Sequence, residues 1–393
     1  MRQKIAIILP LLCLLSYWYI ELIAVIISIL LTGNIFKLFK GIHIKYLISL
    51  LFFILLEMTI ILVLDYPIKK CIEQIILITV TAIAYKTYFQ HVVKINIPIF
   101  IKYYLNINTI MIIYALIAYI FHITISGRLE SWGGEPGDIS LLTLPSLIYY
   151  FYNKEISFRS ALAVIGFYLA ESTASYAALF LVFILFVILQ YRKHILKIAL
   201  SIIAIFTLTF TVLNNISSED NNKNNALLKF EETLDILNNE HLNFYELESL
   251  NASTYAFITN LIVAKTAPSR FLGTGLGTHP INYEIKYPPK TTNYRLYGLN
   301  ANDAYSLSIR VFSELGYVGL FALFIFIFKS FNSHSIYSFM ALSYIINACI
   351  TGGHYTANGG MLFFILLYFT GKYSKYKALK FHSIHILNSQ KHV

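Results

Sequence analysis

The chain has 393 residues and a formal net charge of +10, with 57% apolar and only 13% charged residues. About a quarter of a soluble domain is charged, so an assembly of soluble domains is excluded. Continuous apolar runs such as LISLLFFILL, AALFLVFILFVIL and GLFALFIFIF also exclude a β-barrel, whose segments alternate, and point to an all-α polytopic membrane protein.

The chain opens with MRQKIAIILPLLCLLSYW. This has the charge and apolarity of a signal peptide, lacks a small-residue cleavage site and runs into a second apolar segment, so it reads as a retained first helix. Hydrophobic runs predict about twelve spans: 5–19, 22–36, 46–64, 71–88, 105–125, 139–152, 158–171, 173–190, 195–213, 304–328, 335–350 and 358–371. The first two also fit one long tilted helix, and Gln90 to Ile101 reads as amphipathic or loop-like. Residues 1–213 then hold nine helices with short loops, and 214–303 form one large loop between the ninth and tenth spans. Residues 304–371 hold the last three helices, and 372–393 form a basic tail. Cys13, Cys71 and Cys349 form no C-x-x-C pair and read as small apolar residues.

Lysine and arginine set the orientation. With the N-terminus inside, inner segments carry Arg2, Lys4, Lys86, Lys154, Arg192, Lys329 and the tail lysines among others, while short outer loops carry only Lys69, Lys70 and Arg128. Both termini are then cytoplasmic. The basic tail suits anionic lipid headgroups better than nucleic acid. Residues 214–303 fall outside and hold half of all Asp and Glu. Within them NNISSEDNNKNN reads as flexible, ALLKFEETLDILNN has helical spacing, and STYAFITNLIVAK reads as a short helix capped by Ser253. Pro268, Pro280 and Pro288-Pro289 are expected to enforce loops.

Polar groups at the predicted outer rim carry the chemistry. They are Arg128 and Glu135 in SGRLESWGGEPGD, Glu171 in AESTASY, and Arg270, Gly273, Gly275, Gly277 and His279 in SRFLGTGLGTH. Asn300, Asn302, Asp303, Tyr305, Arg310 and Glu314 follow in LNANDAYSLSIRVFSELGYVG, and His354 in TGGHYTANGG. Plainer readings exist: Arg128 snorkels to headgroups, Glu171 bonds neighbouring hydroxyls, His354 is a structural hydrogen bonder, and the glycine-rich stretch is a tight connector. Glu57, mid-span, reads as an interhelical hydrogen bonder rather than a catalyst. Arg310 lies inside an apolar helix, where an unpaired arginine costs about 2.5–3.5 kcal/mol. Glu314, four residues on, shares its face, so a plain intrahelical ion pair is the competing account.

The glycine-rich stretch is G-x-G-x-G without G-x-G-x-x-G or G-K-[ST], which argues against a nucleotide cradle. Arginine forks match phosphate oxygens and keep their charge at low dielectric. A diphosphate leaving group needs such a clamp, and a histidine or carboxylate could take a proton from an attacking hydroxyl. The outer segments show no D-x-D pair or His/Cys/Asp cluster, which favours metal-independent transfer with no cofactor.

The blocks GRLESWGGEPG, LAESTASYAALF, LNASTYAFITNLIVAK, RFLGTGLGTHP, NANDAYSLSIRVFSELGYVG and TGGHY resemble, in order, bacterial O-antigen polymerases of the Wzy type, within the O-antigen ligase and polymerase superfamily. The likeness runs from about Gly127 to Phe369. It implies an inner-membrane glycosyltransferase that moves a glycan from undecaprenyl diphosphate to the hydroxyl of a new lipid-linked repeat unit. It also implies a chain-length regulator as partner. In that picture Arg270, the three glycines and Arg310 hold or shape the donor diphosphate, and Arg128 and Glu135 line the opposite wall. The chain departs from many relatives at Gly137, where they have asparagine, and at Tyr305, where they have a histidine suspected as base in ligases. His279, Glu314 and His354 are left as candidate bases. The rival readings are a ligase delivering polymer to lipid A–core and a lipid-glycan flippase.

Overall fold

A computed structural model describes residues 1–14, 18–38, 44–94, 96–123, 129–130, 136–190, 250, 252–288, 296–352, 354–356 and 358–371. Arg128, Glu135, the ninth span at 195–213, most of the 214–303 loop and the tail lie outside them. The regular secondary structure of the described residues is all helical, with no strand among them.

The N-terminal pair is two helices, α1 (Arg2–Leu12) and α2 (Trp18–Leu31), rather than one long one. At about 1.5 Å per residue, α1 is too short to cross a bilayer of about 30 Å. A 3-10 turn at Ile35–Lys37 follows, then α3 (Ile44–Val63) and α4 (Ile68–Thr87). A π-helical turn at Tyr88–Val92 ends α4. The next helix, α5 (Ile97–Ile120), starts well before the predicted 105 and takes in the end of the stretch read as loop-like, because Pro98 sits in its first turn. Next come α6 (Pro136–Tyr152), α7 (Phe158–Leu169) and α8 (Thr173–Gln190). A capping box starts α7, with Ser157 and Ser160 each satisfying the other's backbone.

After the undescribed stretch, α9 (Ala252–Thr266) contains Ser253 in its first turn instead of being capped by it. Pro280 opens α10 (His279–Lys286) rather than breaking it, since proline lacks only an N–H that a first turn leaves unpaired. The last helices are α11 (Leu307–Ser330), α12 (Ile336–Ile350) and α13 (Gly360–Gly371). Ser306 caps α11 by accepting from the Ile309 amide at 3.2 Å.

Among the described residues two helices, α5 and α11, are long and apolar enough to cross a membrane. Others are apolar but shorter, including the bodies of α3, α8 and α12. The main core joins α1, α4, α5, α6, α12 and α13 around Tyr85, Tyr88, Phe100, Tyr104, Tyr344 and Phe363. Buried tyrosines there keep partners: Tyr88 donates to the Ile7 carbonyl at 2.7 Å and Tyr85 to Glu21. Large apolar side chains face outward on α3 (Leu51, Phe52, Leu55) and α11 (Phe321, Phe324, Phe328), as bilayer contact requires and water does not favour.

The segments assigned to the outer side gather at one end of the bundle. Tyr66 meets Asn282, Ser140 meets Ser175, Ser175 meets Asn347, and Asn358 meets Asp138. At the other end Gln3 meets Val92, and Gly371 packs on Ser330.

Candidate functional site

The site begins at a kink. Gly316 interrupts α11 with φ 63° and ψ −160°, a conformation open to glycine but not to side chains with a Cβ. The stretch from Arg270 to Leu276 lies against this break. Tyr317 and Val318 amides donate to the Arg270 and Phe271 carbonyls at 3.0 and 3.2 Å, and Thr274 and Gly275 amides donate to the Ser313 and Glu314 carbonyls at 3.2 and 2.8 Å. A Cβ on Gly273 would fall on the Glu314 carbonyl, and one on Gly316 on the Phe271 carbonyl. These two glycines therefore let two backbones touch. Gly275 leaves room for the Ile61 side chain of α3, and Gly277 for the Gln74 side chain and Lys70 backbone of α4.

The glycine-rich stretch is thus buried from Gly273 to His279, and the amides of Thr274, Gly275, Leu276 and Thr278 donate within the protein. The Leu276 amide donates to Glu57 Oε2 at 2.9 Å. Glu57 is 2% exposed. It lies six residues before the end of α3 at Val63, hence about 9 Å from that end rather than at the middle of the helix. Sequence reading set it aside. Counting back from the turn at Asp65-Tyr66-Pro67 would have placed it beneath the outer rim.

His279 is fully buried, and its surroundings fix its tautomer. Asn260 Nδ2 donates to the Ala256 and Leu299 carbonyls at 2.6 and 3.2 Å, so Oδ1 is the atom facing His279 Nε2 at 2.9 Å. An amide oxygen only accepts, so Nε2 carries the proton. Nδ1 then accepts from Ser313 Oγ at 2.8 Å. Asn282 Nδ2 bonds Thr274 Oγ1 at 2.8 Å, and Tyr66 donates to Asn282 Oδ1 at 2.7 Å. Burial, and then the positive charge of Arg310, push the His279 pKa down to about 3. The ring is a neutral tie between α9, α10 and α11.

The second half of the site surrounds Arg310, which is 5% exposed. Its Nε donates to Glu314 Oε1 at 3.2 Å, so the i,i+4 pair expected from sequence is formed. Tyr355 donates to Glu314 Oε2 at 2.8 Å, and its ring lies 4.5 Å from the guanidinium carbon, a cation–π contact. Burial and the Glu314 carboxylate raise the Tyr355 pKa well above a free phenol, so it stays a donor.

His354 precedes Tyr355 and faces the other way. Its Nε2 lies 3.4 Å from Asp303 Oδ2. Asp303 Oδ1 accepts from the Tyr305 amide at 3.2 Å, and Asn300 Nδ2 lies 3.4 Å from Oδ2. Ala304 and Tyr305 both hold positive φ, 60° and 63°, uncommon for residues with side chains and associated with functional turns. Gly352 N donates to the Tyr305 carbonyl at 2.8 Å, locking that turn to the end of α12. The Tyr305 ring meets Phe257 edge-on at 5.8 Å. The Asp303 carboxylate therefore lies against one edge of the His354 ring. His354 is 44% exposed, unlike His279.

The structure therefore joins Asn300, Asp303, Tyr305, Arg310, Glu314 and His354, and buries the three glycines and His279 beside them. Asn302 and Arg270 are exposed. Sequence reading missed Asn260, Asn282, Ser313 and Tyr355, and named Glu57 as a hydrogen bonder without placing it against the glycine-rich stretch. Only Ser313 had a local signal, three residues from Arg310 on one helix face.

No protein-family model matches the chain, and comparison with curated proteins finds no match.

Proposed function

We propose that the chain is an O-antigen or related surface-polysaccharide polymerase of the bacterial inner membrane, with about twelve spans, cytoplasmic termini and its large loop in the periplasm. The observation that carries this reading is the His354-Tyr355 dipeptide. One residue meets Asp303 and the other meets Glu314 and Arg310, so a proton acceptor and a cation from distant blocks share one rim.

In the proposed reaction the acceptor sugar hydroxyl attacks the anomeric carbon of the donor glycan. The new glycosidic C–O bond forms as the bond to diphosphate breaks, and undecaprenyl diphosphate leaves with the bonding pair. His354 takes the hydroxyl proton, and the Asp303 carboxylate beside it stabilises the imidazolium. Arg310, held by Glu314 and stacked on Tyr355, supplies fixed positive charge at the base of the site, and exposed Arg270 supplies it at the edge. His279 and the glycines hold the loop in place in this scheme.

Lipopolysaccharide banding of a deletion strain tests the assignment. A polymerase defect leaves core carrying one repeat unit. Bare core instead identifies a ligase. Purified protein that moves lipid-linked glycan without making a glycosidic bond identifies a flippase.

A further inference from the structure

Away from this site, α6, α7, α8 and α12 enclose a groove of about 910 Å³. Its walls are aromatic and aliphatic, among them Phe167, Val182, Phe183, Phe186 and Phe339. At one end α7 and α8 meet: Tyr176 donates to the Tyr168 carbonyl at 2.8 Å, and the Phe167 and Tyr176 rings are 5.4 Å apart. At the other end the lining changes to Lys154, Glu155 and Ser157. Lys154 and Glu155 are exposed, and Val164, Phe180 and Phe183 along the groove are at least 45% exposed. The groove therefore opens sideways and ends on a cation beside an anion.

We propose that it binds one chain of a membrane phospholipid whose headgroup carries both a phosphate and an ammonium group. Close-packed helix bundles leave few voids, and an apolar slot this size loses dispersion contacts along its walls unless a chain fills it. The α7–α8 end is lined by Phe167, Tyr168 and Tyr176 and by no charged residue, which suits a tail better than a headgroup. The open end offers Lys154 to a phosphate and Glu155 to an ammonium. Ser157 Oγ accepts from the Ser160 amide and donates to Glu155 Oε1 at 3.2 Å, bracing that carboxylate at the mouth, so the headgroup is read by these two charges. The occupant is not the diphosphate carrier of the proposed reaction. Glu155 repels a polyanion, and the mouth lies past the C-terminal end of α6, whereas Asp138 near the N-terminal end contacts the Asn358 loop of the site.

The test uses the full-length protein in nanodiscs containing phosphatidylethanolamine, phosphatidylglycerol and polyprenyl phosphate in equal amounts. Detergent washing is followed by native mass spectrometry. The expected result is one retained lipid, predominantly phosphatidylethanolamine. Glu155→Gln should cut its preference over phosphatidylglycerol about two- to fivefold, the range of an exposed ion pair. Lys154→Gln should weaken retention of both by a similar factor. Ala161→Trp, which fills the groove, should abolish retention with the helical circular dichroism unchanged. Equal retention of all three lipids, preference for phosphatidylglycerol or polyprenyl phosphate, or retention surviving Ala161→Trp overturns the proposal. None of these outcomes depends on whether the protein makes glycan.

Discussion

His279 is a neutral imidazole held by two partners in a buried site, and that fixes its response to acid. Its folded pKa is about 3 against an ordinary 6.5, so as pH falls the unfolded chain takes up the proton first. The His279 contribution is complete above about 6.5 and is eroded down to about 3, by roughly 1.4 kcal/mol per pH unit. The melting temperature in detergent should fall from pH 7 to pH 4, and less steeply in His279→Gln. Parallel curves would show that another group governs the acid limb. His354 has no such enclosure. On the proposed function, His354→Ala lowers elongation about 10²- to 10⁴-fold at normal protein level, the range for losing a general base. Purified protein with donor and acceptor measures it. Arg310 and Glu314 were legible from their spacing, but their dependence on Tyr355 was not, because forty residues separate the partners. Glu314→Ala removes the carboxylate partner of a buried guanidinium and should cost about 3–5 kcal/mol. Arg310→Met with Glu314→Leu should restore folded yield and not elongation. Recovery of both would make the pair purely structural.

At the scale of elements, the contact between the glycine-rich stretch and the α11 kink holds the site together. Gly273 has φ 79° and no room for a Cβ, so Gly273→Ala must push the stretch off α11 as well as adopt a strained dihedral. Gly137 has open space and ordinary φ. Gly273→Ala should lose at least about 1–3 kcal/mol of stability, while Gly137→Ala stays close to the parent, read by thermal unfolding in detergent. The sequence signalled that the glycines mattered, and it suggested ligand approach as the cause. Their neighbours are protein backbone from α11 and α4 and a side chain of α3, and no local pattern distinguishes those from a phosphate. Most helix bodies were legible because apolar runs mark them directly. Their ends were less so: α5 begins with a proline, and α10 begins with another that reads equally well as a breaker.

For the whole molecule, the decisive property is sidedness. The α3–α4 turn, the starts of α6, α8 and α11, and the 352–359 loop all meet at one end of the bundle. Single cysteines placed at Arg270 and in the basic tail, in an otherwise cysteine-free protein, should label from opposite faces in sealed vesicles. Labelling of both from one face would end the proposed topology and, with it, the periplasmic reaction.

The sequence by itself determined the helical class, the positions of most apolar helices, the asymmetry of positive charge and the Arg310–Glu314 spacing. Each of these follows from composition or from short-range periodicity. Tertiary structure alone decided which histidine is enclosed and which is open, that Glu57 reaches the glycine-rich stretch, and that His354 and Tyr355 join Asp303 to Glu314. Those outcomes depend on backbone approach between segments tens to hundreds of residues apart, set by the packing of whole helices, and no window of sequence contains them.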